Sequence, residues 1–208
     1  MSALAGTRTA GVDDLEAIMV LERASFPGDA WSDAMMREEL ASPHGWYVVV
    51  EQSGRVIGYA GLRAPRGAAD ADIQTITIAS GARRRGRGRA LLTTLLDEAV
   101  RRGVRSVFLE VRADNPVAQK LYASEGFAEV GRRPRYYQPD DVDAIVMKLD
   151  LPGWAARPRQ VHTAQEISAE QGASPRESAT APRGGTEGSR VVRADPAEPR
   201  AADAGACT

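Results

Sequence analysis

A mixed α/β domain, a central sheet with helices on both faces, is the fold class this sequence predicts. Three observations carry it. Two β-rich runs, 46–51 and 56–62, are joined by the short polar turn Gln52-Ser53-Gly54-Arg55, which reads as a hairpin. From Ile73 onward, strand-like and helix-like stretches alternate, as a sheet covered by helices requires. Ahead of both lie two stretches with apolar residues at helical spacing.

The elements follow in order. Asp13 and Asp14 open a helix through Ile18, Leu21 and Phe26, and Ser32 caps a second one through Met36 and Leu40. After the hairpin, 73–78 alternates branched and hydroxyl side chains as a third strand and runs into a Gly/Arg-rich segment at 81–89. Residues 90–100 are a helix, 104–111 a strand, 116–124 a helix, and 127–130 and 144–149 the last two strands. Beyond Leu151 the apolar period stops, and Pro, Gly, Ser, Ala, Glu and Arg dominate. Such a segment cannot bury enough apolar surface to offset its ordering entropy. The sequence therefore predicts one domain over 1–151 and a disordered tail over 152–208.

Composition removes several function classes. The formal net charge of the 208 residues is -1, so no global field draws the chain to nucleic acid or to an anionic membrane. The only cysteine, Cys207, excludes an internal disulfide and a cysteine zinc cluster. His44 and His162 have no accompanying carboxylate pattern, so neither a metal site nor a Ser-His-Asp triad is expected. No secretory core and no stretch of about 18 apolar residues is present, and a cytoplasmic protein is the expectation.

The most informative segment is Arg83-Arg84-Arg85-Gly86-Arg87-Gly88-Arg89, between a strand and a helix. Unpaired N–H groups and the positive end of a helix dipole converge at such a junction, and glycine lets the backbone approach an anion closely. A pyrophosphate fits that description. No Gly-Lys-Ser/Thr follows, and the glycines do not complete Gly-x-Gly-x-x-Gly, so neither a P-loop nor a dinucleotide fold is indicated. A nucleic-acid patch is the competing reading of five arginines in seven residues; the run is short and carries no aromatic residue for base stacking.

Here the sequence resembles a known superfamily. Arg83-x-x-Gly86-x-Gly88 is similar to the Gln/Arg-x-x-Gly-x-Gly/Ala signature of the GNAT N-acetyltransferases, in the place that family requires, and Leu121-Tyr122-x-x-x-Gly126-Phe127 matches their common Leu-Tyr-x-x-x-Gly-Phe segment. Arg87, where relatives usually carry an apolar residue, is a departure. The resemblance implies the GNAT fold: a mostly antiparallel sheet with one parallel, splayed strand pair at the acetyl-CoA site. It assigns Ile76, Thr77 and Ile78 to the pantetheine arm, Arg83, Arg84, Arg85, Gly86, Arg87, Gly88 and Arg89 to the pyrophosphate, and Asn115 to a further acetyl-CoA contact.

Finer likeness points to the bacterial ribosomal-protein-alanine N-acetyltransferases. It rests on Phe26-Pro27 with Trp31-Ser32, on Leu109-Glu110-Val111-Arg112, on Asn115 with Leu121-Tyr122, and on Arg135-Tyr136-Tyr137-Gln138-Pro139. Gly28-Asp29-Ala30 departs from the shorter Phe-Pro-Trp-Ser of some relatives. The implied substrate is a protein N-terminus, the N-terminal alanine of small-subunit ribosomal protein eighteen, with no nucleic-acid, membrane or metal partner.

An amine attacks a thioester only when neutral, so the site needs a base, and the departing thiolate needs an acid. Glu110, ending a strand whose apolar neighbours face the other way, is the candidate base, acting through water; a strand-end carboxylate paired with Arg112 or another cation is the plainer alternative. Tyr122 is the candidate acid, or a tyrosine at the core edge. Trp31, Tyr136 and Tyr137 resemble residues that line the peptide entrance, and a strand-edge aromatic pair is the alternative for the tyrosines. A main-chain N–H near Ile78 is the candidate donor to developing negative charge. A lysine side chain or a small-molecule amine as acceptor, and a binding module without turnover, stay open on sequence alone.

Overall fold

The computed structural model describes residues 5–28 and 30–157. Its elements are β1 (Thr7–Thr9), α1 (Leu15–Ser25), α2 (Asp33–Ala41), β2 (Gly45–Gln52), β3 (Arg55–Arg63), β4 (Asp70–Ile78), α3 (Arg87–Arg101), β5 (Ser106–Arg112), α4 (Pro116–Glu125), β6 (Ala128–Tyr137), β7 (Val142–Asp150) and α5 (Leu151–Ala155). The strands form one sheet in the order β1-β2-β3-β4-β5-β7-β6. Every neighbouring pair is antiparallel except β4 and β5. A mixed, mostly antiparallel sheet flanked by helices is thus present.

Local chemistry explains the elements. The Ser32 hydroxyl accepts from the Met35 N–H at 3.2 Å and starts α2. Ser53 and Gly54 both have positive φ, the backbone that a two-residue turn needs to match the twist of β2 and β3. Leu91, Leu92, Leu95, Leu96 and Ala99 fall on one side of α3 and are fully buried, each leucine contributing about 1.5–3 kcal/mol of burial. They join Ala118 and Tyr122 of α4 and Leu151 and Trp154 of α5 in the larger core, on one face of the sheet. On the other face α1 and α2 enclose a smaller core with Tyr47, Val49 and Tyr59.

Three features differ from the sequence-based expectation. β1 is only three residues long, below what alternation can reveal. β6 runs ten residues to Tyr137 rather than ending at Val130; Gly131, Pro134 and three arginines mask it, and an outer strand tolerates them because one edge needs no ladder. The expected boundary after Leu151 falls inside α5, whose cap is the Asp150 carboxylate accepting from the Gly153 N–H at 2.9 Å, and whose Trp154 is buried. The remainder of the expected tail, 158–208, lies outside the described residues.

The positioning feature is the parallel pair. β4 and β5 are in register only from Asp70 to Asp72 against Ser106 to Phe108. Past that point β4 stays paired with β3 as far as Ile78, and β5 with β7 as far as Arg112. The two strands therefore part toward their C-terminal ends and leave a gap in the middle of the sheet.

Candidate active site

The gap is lined by main-chain groups. The Ala79 N–H donates to the Ile57 carbonyl of β3, so strand alternation turns the N–H and C=O of Ile76 and Ile78 the other way, into the gap. The Ile78 carbonyl accepts there from Arg83 Nε at 2.9 Å. Thr77, between them, is buried on the α1/α2 face opposite Tyr59.

At the mouth of the gap sits the Gly/Arg segment. Arg84 and Gly86 both have left-handed φ, 62° and 70°, and Gly86 is the cap residue of α3 without a side chain to satisfy its first N–H groups. Such alternation turns successive N–H groups to one side and makes an anion cradle at the positive end of the helix. The arginines divide into two sets. Arg83 holds the loop to Ile78, Arg87 donates to the Ala82 carbonyl at 3.0 Å and to Gln52 at 2.9 Å, and Arg89 pairs with Glu125 and Ser124. Arg84 and Arg85 project into solvent beside the cradle. Arg87, unusual at its position, is thus a brace between loop and hairpin. A Cβ on Gly88 would meet only Leu121 Cδ2 at 3.8 Å, so the cradle side of the first turn is open.

Deeper in, the structure brings Glu110, Tyr122, Tyr136 and Tyr137 to one region. Glu110 is 5% exposed, and its Oε1 lies 3.1 Å from Arg133 Nε on β6. Its cation is therefore Arg133, whereas Arg112 pairs with Asp114 at 2.8 Å and Asp140 at 3.0 Å. Arg112 also lies over the Tyr137 ring and Arg133 over the Tyr136 ring, with the two rings edge to face at 5.2 Å. Tyr122 is fully buried, and its hydroxyl has no hydrogen-bond partner among the described residues. Burial, and then nearby Tyr137, push that hydroxyl well above its ordinary value, so it stays protonated as a donor.

Two further predicted residues have structural roles. Trp31 is buried in the α1/α2 core and shapes the connection between those helices from inside. The Asn115 carboxamide oxygen accepts from the Ala118 N–H at 3.0 Å as the cap of α4. Arg133 escaped sequence reading because its partner is two strands away across β7, and its segment reads as loop. Glu22 and Tyr59 escaped it too: at helical spacing a glutamate reads as solvated, yet Glu22 is buried and holds both Tyr59 and the Trp31 N–H. Among the described residues no three His, Cys, Asp or Glu side chains converge as a metal site, and no helix is long and apolar enough to cross a membrane.

Comparison with known proteins agrees with this architecture. Residues 15–127 match the model of the acetyltransferase (GNAT) family. The N-alpha-acetyltransferase RimI of Mycobacterium tuberculosis is 43% identical over 142 residues, 66% of this chain and 87% of that protein. The crystal structure of the ribosomal-protein-S18-alanine N-acetyltransferase from Escherichia coli superposes with a TM-score of 0.63 at 31% identity, covering 70% of this chain and 92% of that one. A ribosomal-protein-alanine N-acetyltransferase from Brucella melitensis gives 0.60 at 25% identity, covering 69% and 98%. By fold, loop and kinship this chain belongs to the GNAT family and is an acetyltransferase.

Proposed function

We propose that this enzyme transfers acetyl from acetyl-CoA to the N-terminal α-amine of a protein, by direct attack in a ternary complex in the cytoplasm. The first acceptor to test is the N-terminal alanine of ribosomal protein S18, the residue named for the Escherichia coli relative. The single observation that carries the reading is the gap between β4 and β5, with the anion cradle at its mouth and Glu110 and Tyr122 beside it.

The residues fit acetyl-CoA as co-substrate. The cradle at Arg84 to Gly88 suits a pyrophosphate, the main-chain groups of Ile76 and Ile78 suit an amide-bearing arm, and the unmatched hydroxyl of Tyr122 suits a sulfur that becomes an anion. Bound there, the co-substrate would supply an activated acyl group as a thioester. Glu110 would take the proton of the attacking amine through water, Tyr122 would donate to the leaving sulfur, and the Ile78 N–H would stabilise the charge growing on the acyl oxygen. Holding both reactants in one gap supplies proximity, and no covalent enzyme species is needed.

An α-amine suits this base. Its reference pKa of roughly 7.7–8.0, against about 10.4 for lysine, leaves a usable neutral fraction near pH 7. Kinship supports the same acceptor, and the half-buried Tyr136, backed edge to face by the buried Tyr137, would hold the first residues of a peptide. The test is CoA release with a peptide copying the S18 N-terminus, beside the same peptide blocked at its α-amine and carrying a free lysine. Turnover of the free α-amine alone is expected. Turnover of the lysine peptide alone would move the acceptor to side chains, and binding of acetyl-CoA without either reaction would point to a small-molecule amine or a binding module.

A further inference from the structure

Glu22 is a carboxylate that none of this chemistry uses, and it is 3% exposed. It closes both ends of the connection between α1 and α2. Its main-chain carbonyl accepts from the Phe26 N–H at 2.8 Å, and its side chain accepts from the Trp31 N–H at 2.9 Å. The other carboxylate oxygen accepts from the Tyr59 hydroxyl. Tyr59 is wholly buried, and burial, then the Glu22 charge, push its hydroxyl well above the ordinary value, so it remains a donor. Thr75 and Thr77 of β4 lie beside that hydroxyl. They flank Ile76, in the part of β4 whose main chain lines the gap.

The connection itself reaches toward the acceptor side of the site. A Cβ placed on Gly28 would lie 3.7 Å from the Pro139 ring, in the turn that follows Tyr136 and Tyr137. One carboxylate thus ties the connection to Tyr59 of β3, the strand paired with the part of β4 beside which the acyl group would lie. Burying a carboxylate against N–H and O–H donors costs desolvation that an apolar side chain would avoid. What the arrangement provides is direction: two bonds of fixed geometry set the height and angle of the connection.

We propose that Glu22 is a positioning residue for the acceptor, acting through Trp31 and Tyr59 to hold the α1–α2 connection in register with β4. The inference rests on the reading that the acceptor enters between this connection and the β6–β7 turn. Two variants of the full chain test it. Glu22→Gln leaves the Phe26 contact intact and disturbs the two side-chain bonds; Tyr59→Phe removes only the bond to Tyr59. Steady-state KM for the acceptor, kcat, acetyl-CoA affinity by equilibrium binding and Tm are measured for each.

The expected result is an acceptor KM raised about tenfold in Glu22→Gln, the size of one buried hydrogen bond to a charged group, and less in Tyr59→Phe. Acetyl-CoA affinity stays at the wild-type value. Unchanged acceptor KM in both variants overturns the proposal, as does an equal weakening of acetyl-CoA, which would mark general loosening. If Glu22→Gln does not fold, Tyr59→Phe decides, because it keeps the Trp31 clamp. The acceptor used is whichever peptide the wild type acetylates. Acceptor identity therefore tests the α-amine reading, and the KM ratio tests Glu22.

Discussion

The two faces of the sheet are held by different means. Beneath α3, α4 and α5 the core is a continuous apolar layer, with Leu91, Leu92, Leu95, Leu96, Val107, Leu109 and Val111 at 1% exposure or less. Beneath α1 and α2 the core is smaller, and two buried carboxylates run through it: Glu22 bonded to Tyr59, and Glu39 accepting from Tyr47 at 3.3 Å and from Arg63 at 3.5 Å. Apolar burial is strong but has no direction, whereas hydrogen bonds fix angles. The α3/α4/α5 face therefore supplies stability, and the α1/α2 face supplies geometry, on the side where the proposed acceptor would be aligned.

The largest effects should come where the faces meet. Glu110→Gln is expected to lower kcat by roughly 10²–10⁴, the usual worth of a general base, with acetyl-CoA affinity retained. Rapid-quench turnover beside equilibrium binding checks this, and unchanged turnover would remove Glu110 from the mechanism. Tyr122→Phe separates the two roles most cleanly. Its hydroxyl is buried without a partner among the described residues, so removing it should leave stability equal or higher by about 1 kcal/mol. Turnover should fall by roughly 10² if the hydroxyl is the acid. A fall in Tm together with turnover would instead make Tyr122 a packing residue.

Next in size is the apolar face itself. Leu95→Ala empties a fully buried position and should cost about 2–5 kcal/mol in denaturant unfolding, while kcat of the folded fraction stays near wild type. A smaller change follows at the cradle. Gly86 sits at φ 70° with open space where a Cβ would go, so Gly86→Ala meets no clash and only the left-handed penalty of about 1–2 kcal/mol. Relaxation of that backbone should weaken acetyl-CoA while leaving acceptor KM alone, the reverse of what is expected for Glu22→Gln. Equal weakening of both substrates would erase the division between the faces.

What could be read from sequence follows the same division. The donor side is built by neighbours in the chain: strand, Arg83 to Arg89, and the leucines of α3 fall within 70–101, so period and motif display them in order. Tyr122 carried its own local segment. The proposed acceptor side is assembled from distant pieces, with Glu22, Tyr59, Glu110, Arg133 and Pro139 brought together by the sheet order β3-β4-β5-β7-β6. A single glutamate or arginine gives no sign of which carboxylate or cation the register will bring to it. The sequence left Arg112 or another cation as the plainer partner of Glu110; register gave that place to Arg133, and Arg112 points to Asp114 and Asp140. Trp31 is assigned to the peptide entrance by resemblance alone, and the folded connection turns it into the α1/α2 core.

The smallest expected effect probes a third fastening, at the rim of the α1/α2 face. Arg8 of β1 donates to Asp14, just ahead of α1, at 2.7 Å and to Glu51 of β2 at 2.5 Å, and the Gly11 N–H donates to Asp14 Oδ2 at 2.9 Å. The Arg8 hydrogen bond, aided by that N–H, holds the Asp14 carboxyl below its ordinary value. A carboxyl whose folded pKa is depressed stabilises the fold above its unfolded pKa of about 3.9 and loses that contribution as pH falls through the lower folded value. Asp14→Asn keeps an acceptor for Gly11 but gives up the charge. The variant should therefore have a slightly lower Tm than wild type near pH 7, with the difference shrinking below about pH 4 and, at neutral pH, in high salt. A difference that persisted unchanged into acid would show that Asp14 fastens the rim by hydrogen bonding alone, and the contrast between an apolar face and a directed one would extend to its edge without any help from charge.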